Sequence, residues 1–252
     1  MSAPPPATNP KTTAHVAPLM VFMGFLMLLE GLRAIGFTST EDSSAWWRRQ
    51  PELWLYPLQT VVSLQVLLMS WKHYDFRPFC GIGWAIGAGI LGIAVWIAPG
   101  FLFVQFKMAL GPLSYLGFSP RTDGFNPVLI TQNQAFWYWF IVVLRFLRLV
   151  IVVPLVEEIF WRGFLMRFLC DIDGDYWKVP FGKFHWLSLV VVTAMFVMAH
   201  APVDYVAAAV FGILMYGVAV KTKSLTACIV MHATANFILG LYVLSTQQWG
   251  YW

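Results

Sequence analysis

Two adjacent glutamates, Glu157 and Glu158, interrupt the stretch PLVEEIFWRGFLMR over residues 154–167, inside an apolar run that is otherwise long enough to cross a bilayer. An ionised carboxylate is costly in hydrocarbon, so an acid at that depth marks a functional site by default. On a helix Glu158 and Arg162 stand four apart on one face and can pair, while Glu157 is turned about 100° away. That spacing assigns Glu158 and Arg162 to structure and leaves Glu157 for chemistry. A local ion-pair network where the helix leaves the membrane is the competing reading of the same string.

The last third of the chain offers few other reactive groups: His200 at the end of TAMFVMAH, His232 in IVMHATANF, and Asn236 four residues further on. His232 and Asn236 share a helix face, as do Phe196 and His200. One histidine at a helix end is commonly a satisfied structural residue. Two histidines, an asparagine and a glutamate pair on three apolar helices need partners at depth, and one shared, water-filled cavity would satisfy them all.

A carboxylate and an imidazole around one water form a general-base arrangement, and a second imidazole with a side-chain amide can stabilise the oxyanion that develops. Peptide hydrolysis is the natural reaction class. Glu157, His200 and His232 are also zinc-type ligands. The H-E-x-x-H string is absent, which makes zinc the weaker reading, and no cofactor is expected.

The elements that must carry these groups follow from composition. The 252 residues are 59% hydrophobic and 11% charged, with a mean hydropathy of +0.68, which excludes an ordinary soluble domain. Several apolar stretches reach spanning length and none alternates as an outer-membrane strand does. The expected fold is all-α, a polytopic transmembrane helical bundle of seven to eight spans around an intramembrane polar cavity.

Residues 1–14 read as a mobile tail and 15–252 as a single transmembrane domain, with the motif-bearing core over about 135–244. Spans are expected near His15–Phe37, Leu53–Trp71, Gly81–Phe103, Trp186–Ala199, Asp204–Val220 and Leu225–Leu244. The long run from Ala135 is to be kinked by Pro154 and could break in two. Gly83, Gly87, Gly89 and Gly92 are expected to allow close helix contact. Glu30 and Arg33 are expected to pair.

The net charge of +4 sits mostly beside the spans, where basic residues set topology, so no nucleic-acid partner is read from it. With an odd number of spans, the bias of Lys and Arg favours a cytoplasmic N-terminus. Cys80, Cys170 and Cys228 are isolated and predict buried small hydrophobes rather than disulfides or a thiolate metal site.

EEIFWR, FVMAH and HATAN resemble the three motifs E-E-x-x-x-R, F-x-x-x-H and H-x-x-x-N of the CPBP family, the CAAX protease and bacteriocin-processing intramembrane endopeptidases. The resemblance covers about Val153 to Leu244, in the family's order. It implies that Glu157 activates water and that His200 helps to hold it. Glu158 and Arg162 match the supporting part of the first motif, and His232 and Asn236 the pair assigned to the oxyanion.

It also implies a glutamate-type, membrane-embedded peptidase acting on hydrophobic or lipidated substrates among membrane lipids. VPFGKFHWLS and STQQWGYW resemble a bacterial subgroup found with exosortase systems. That finer likeness implies an inner-membrane, multi-pass protein and a C-terminal sorting segment as substrate. Two other classes fit the composition: a non-proteolytic sorting or immunity partner, and a solute or proton transporter, against which the lack of inverted repeats argues.

Overall fold

The computed structural model describes residues 9–39, 44–131 and 134–252. Its contacts gather the chain into two units, Met1–Asp75 and Phe76–Trp252, where the sequence reading takes 15–252 as one domain. The first eight residues of the expected tail lie outside the described residues. Its last five do not form a tail: helix α1 spans Pro10–Ala34. The Asn9 side chain accepts from Lys11 N–H at 2.9 Å, and Pro10, which has no N–H to lose, occupies the first turn.

Within this first unit α1 packs on α2, Glu52–Met69. Pro18 cannot supply the N–H that the Ala14 carbonyl would accept in a regular helix. The Tyr74 hydroxyl donates to that carbonyl at 2.8 Å instead. Gln59, fully buried, donates from Nε2 to the Phe22 carbonyl at 2.7 Å. The expected pairing of Arg33 with Glu30 is present at 2.6 Å, and the same guanidinium also reaches Glu52.

The second unit is built on α3 (Ile82–Gln105), α4 (Ala135–Phe168), α5 (Trp186–Met198), α6 (Tyr205–Thr222) and α7 (Leu225–Thr246). Helix α3 packs on both α6 and α7, and α5 packs on α6. A Cβ on Gly89 would lie 2.6 Å from the Met231 carbonyl, and one on Gly92 would lie 2.6 Å from the Phe211 ring. These two glycines admit the close approach that spanning helices use in place of a hydrophobic drive. Gly83 and Gly87 face open space, so the expected contact role holds for half of the set.

Helix α4 runs 34 residues, about 50 Å at the α-helical rise, against a hydrocarbon core of about 30 Å. It does not break at Pro154. It widens instead into two π-helical segments, Arg148–Val152 and Ile159–Leu165, with Glu157 and Glu158 between them.

All seven expected helices are present, but five are long and apolar enough to cross a membrane: α1, α3, α4, α7 and the stretch Pro202–Thr222 that contains α6. Among the described residues the seven to eight expected spans thus include five helices that reach spanning length. Helix α5 has 13 residues, about 20 Å, and α2 carries Pro57, Gln59, Thr60, Ser63 and Gln65 within 18 residues. Large apolar side chains such as Val143, Val190, Ile213 and Leu241 are exposed along the second unit's helices, as a lipid-facing surface requires. The architecture is an all-α bundle, with no strand among the described residues.

The cysteines are free. Only Cys228 is a buried small hydrophobe; Cys80 is exposed and Cys170 half-buried.

Candidate active site

The site begins with a backbone irregularity. In an α-helix the Val153 N–H would bond the Leu149 carbonyl, but here it bonds Arg148 O, five residues back. The following residue in that wider register is Pro154, which has no N–H. The Leu149 carbonyl is therefore left without either partner, and a buried carbonyl seeks one. Asn236 Nδ2 donates to it at 2.8 Å, tying α7 to α4 and fixing one of the two amide hydrogens of Asn236.

Glu158 and Arg162 are both fully buried, and the guanidinium Nη1 lies 3.2 and 3.1 Å from the two carboxylate oxygens. The expected i,i+4 pair is in place. Glu158 Oε1 also lies 2.9 Å from His232 Nδ1. A carboxylate of this kind accepts, so Nδ1 carries the hydrogen and Nε2 is the nitrogen left for other partners.

The Arg162 guanidinium sits over the Phe196 ring at 5.4 Å. One helical turn on, the Phe196 carbonyl accepts from His200 Nδ1 at 2.7 Å. By the same reasoning His200 keeps Nε2 available. Its ring is held between Phe196 and Trp96, with centroids at 4.5 and 5.2 Å. The phenylalanine of the second motif thus contacts Arg162 of the first with its ring and fixes the histidine with its backbone.

Glu157, His200, His232 and Asn236 line one cavity of about 260 Å³, with room for several waters at roughly 30 Å³ each. Phe196 lines it as well, whereas Glu158 and Arg162 stand behind it. Glu157 is half-buried, and no described residue engages its carboxylate in a hydrogen bond or ion pair. The two glutamates therefore differ as their spacing predicts: one paired and sealed, the other on the cavity.

Three lining groups escape a reading of the sequence: Asp204, Tyr251 and Trp252. Asp204 stands in the sequence as the mere start of a helix. Its partner, Arg121, ion-paired at 2.6 Å, comes from the Pro- and Gly-rich connection 83 residues away. No local signal links the two.

Among the described residues no three His, Cys, Asp or Glu side chains converge in a way that could hold a metal ion. Glu157, His200 and His232 are among the residues to which this applies, and no chemical step is derived through a metal.

Residues 137–238 match the model of the family described as Type II CAAX prenyl endopeptidase Rce1-like. Separate comparisons with curated proteins and with solved structures find no match. The matched stretch contains Glu157, Glu158, Arg162, Phe196, His200, His232 and Asn236. This match makes the protein a membrane peptidase that is similar, over residues 137–238, to the Rce1-like type II CAAX prenyl endopeptidase family.

Proposed function

We propose that the protein hydrolyses a peptide bond near the C-terminus of a lipidated or hydrophobic membrane-associated substrate, with Glu157 as the base that activates water. The observation that carries this reading is the Glu157 carboxylate, on a cavity it shares with two histidines whose Nδ1 atoms are already spoken for. His200 Nε2 accepts from the same water and orients it. As the water oxygen bonds to the scissile carbonyl carbon, its proton passes to Glu157 and the carbonyl oxygen becomes an oxyanion.

His232, protonated on Nε2, and the second amide hydrogen of Asn236 donate to that oxyanion. Collapse of the tetrahedral intermediate breaks the C–N bond, and Glu157 returns the proton to the leaving amine. Glu158 holds His232, Arg162 holds Glu158 and Phe196 holds His200, so each reacting group is oriented before substrate arrives.

A bacterial cell membrane, and a C-terminal sorting segment as the substrate, are the finer parts of this proposal. They rest on the likeness of VPFGKFHWLS and STQQWGYW to the exosortase-associated subgroup. The decisive experiment compares membrane proteins from cells with wild-type, Glu157→Gln or no protein by mass spectrometry of C-termini. Shortened C-termini that require wild-type Glu157 support the reading. The same termini produced by folded Glu157→Gln protein overturn it.

A further inference from the structure

The cavity that holds Glu157 is lined in part by Gly250, Tyr251 and Trp252, a segment to which the mechanism assigns nothing. Helix α7 ends where Gln247 adopts the left-handed conformation, φ 58°, with its N–H bonded to Val243 O at 2.8 Å. The chain then turns back along the connection that contains Arg121. Gly250 N–H donates to the Arg121 carbonyl at 2.7 Å, and Arg121 N–H donates to Gln248 Oε1 at 3.2 Å.

The Arg121 guanidinium lies over the Tyr251 ring at 4.7 Å while paired with Asp204 at 2.6 Å. Glycines make the seat. A Cβ on Gly124 would fall 2.2 Å from the Trp249 carbonyl, and one on Gly100 would fall 2.2 Å from the Tyr251 hydroxyl. Arg145 covers the Trp252 ring at 4.9 Å. Trp249 and Arg121 are 4% and 6% exposed. A segment held by one backbone hydrogen bond, one side-chain-to-backbone hydrogen bond, the ring contact of an ion-paired arginine and two glycine slots is a fixed wall rather than a mobile flap.

We infer that Tyr251 and Trp252 form a rigid specificity wall of the active-site cavity, setting the size of the substrate residue accommodated beside Glu157, with Arg121 as the residue that positions them. The inference rests on the proteolytic reading above. A wall of two aromatic rings on a cavity of about 260 Å³ leaves space on the scale of one side chain. Discrimination by such a surface is worth about tenfold or more per missing group. Small residues are preferred next to the scissile bond while the rings are in place, and bulky ones are admitted when a ring is removed.

The test uses the full chain in vesicles with a library of peptides, each anchored by a farnesyl or myristoyl chain and randomised over its last four residues. Products are quantified by mass spectrometry as the ratio of cleavage at bulky (Trp, Phe) to small (Ala, Gly) residues. Because both products come from one enzyme sample, the ratio does not depend on how much of the variant folds. Trp252→Ala and Tyr251→Ala are expected to raise it about tenfold, Trp252→Phe by less, and Arg121→Met in the same direction as the ring truncations.

A library cleaved by wild-type protein whose ratio is unchanged in Trp252→Ala and Tyr251→Ala overturns the wall and leaves the protease reading standing. So does complete loss of cleavage in folded Trp252→Phe, which would place the ring in holding the site rather than sizing it. A library left intact by the wild-type protein overturns the protease reading, and the wall with it.

Discussion

The side-chain amide of Asn236 donates to the Leu149 carbonyl at 2.8 Å, across 87 residues of sequence, and Pro154 is the reason that carbonyl is there to be taken. The first unit uses the same device, where the Tyr74 hydroxyl caps the Ala14 carbonyl that Pro18 leaves without a donor. In both places a proline inside an apolar helix converts a backbone group into a docking point for a distant polar side chain. A proline at such a position needs no solvent to satisfy what it exposes.

Pro154→Ala restores an N–H within reach of Leu149 O and sets the backbone in competition with Asn236. The folded protein is expected to survive, with thermal unfolding in detergent unchanged or raised. Cleavage should fall by at least about tenfold, as loss of orientation at a reacting centre does. Asn236→Leu leaves this half-buried carbonyl without its side-chain donor and should cost about 1 kcal/mol in addition to activity.

The pairing of Glu158 with Arg162, without Glu157, was legible from a four-residue spacing, because helical geometry fixes which side chains share a face. The partner of His232 was not. It is Glu158, 74 residues earlier, and periodicity carries no information about which helices meet. The π segments were equally hidden, since Pro154 announces a missing hydrogen bond but not the register that absorbs the defect. The helix at Pro10 was read too late because the run of Pro and Thr there lacks apolar periodicity, while the Asn9 cap and first-turn proline favour a start. Tyr251 and Trp252 entered the site through Arg121, Gly100 and Gly124, none of which stands out in sequence.

Removing Arg162 should separate structure from chemistry. Arg162→Met strands the Glu158 carboxylate at full burial and is expected to cost about 3–5 kcal/mol. Adding Glu158→Leu to that variant removes the stranded charge and should recover most of the stability without recovering cleavage, since His232 loses its acceptor. Glu157→Gln should leave the unfolding temperature within a degree or two of wild type while abolishing cleavage. Detergent unfolding curves beside product assays decide the matter, and a Glu157→Gln protein as unstable as Arg162→Met would assign Glu157 to structure.

Alkaline pH should reach the first unit through Tyr74. Burial pushes its phenol up to about 12, opposed by a hydrogen bond with Ser70, against an ordinary value near 10. Because the folded value is the higher one, the folded state holds this proton more tightly. The contribution is fully present below about pH 10 and is lost as pH rises through about 12. Tyr74→Phe should flatten the fall in stability between those two values, and should also lower stability at neutral pH by about 1–3 kcal/mol by orphaning Ala14 O. Unfolding measured from pH 8 to 12 in both proteins checks the two effects together.

Four of the five glycines of α3, Gly83, Gly87, Gly89 and Gly92, separate packing from mere composition. Gly89→Ala and Gly92→Ala drive a methyl group to 2.6 Å from the Met231 carbonyl and the Phe211 ring, and overpacking of this kind costs about 1–3 kcal/mol. The Gly89 contact is with backbone, which cannot swing aside, so that variant should be the worse of the two. Gly83→Ala and Gly87→Ala meet nothing within 4 Å. They remove backbone entropy from the unfolded chain and should stabilise α3 by about 0.5–1 kcal/mol. His232 follows Met231 on α7, so displacement of α7 by the Gly89 variant should reach the site and lower cleavage, whereas the Gly83 and Gly87 variants should cleave at the wild-type rate. Thermal unfolding and product formation for all four proteins test this, and equal losses at the four positions would show that α3 is held by something other than the approach of Gly89 and Gly92 to its neighbours.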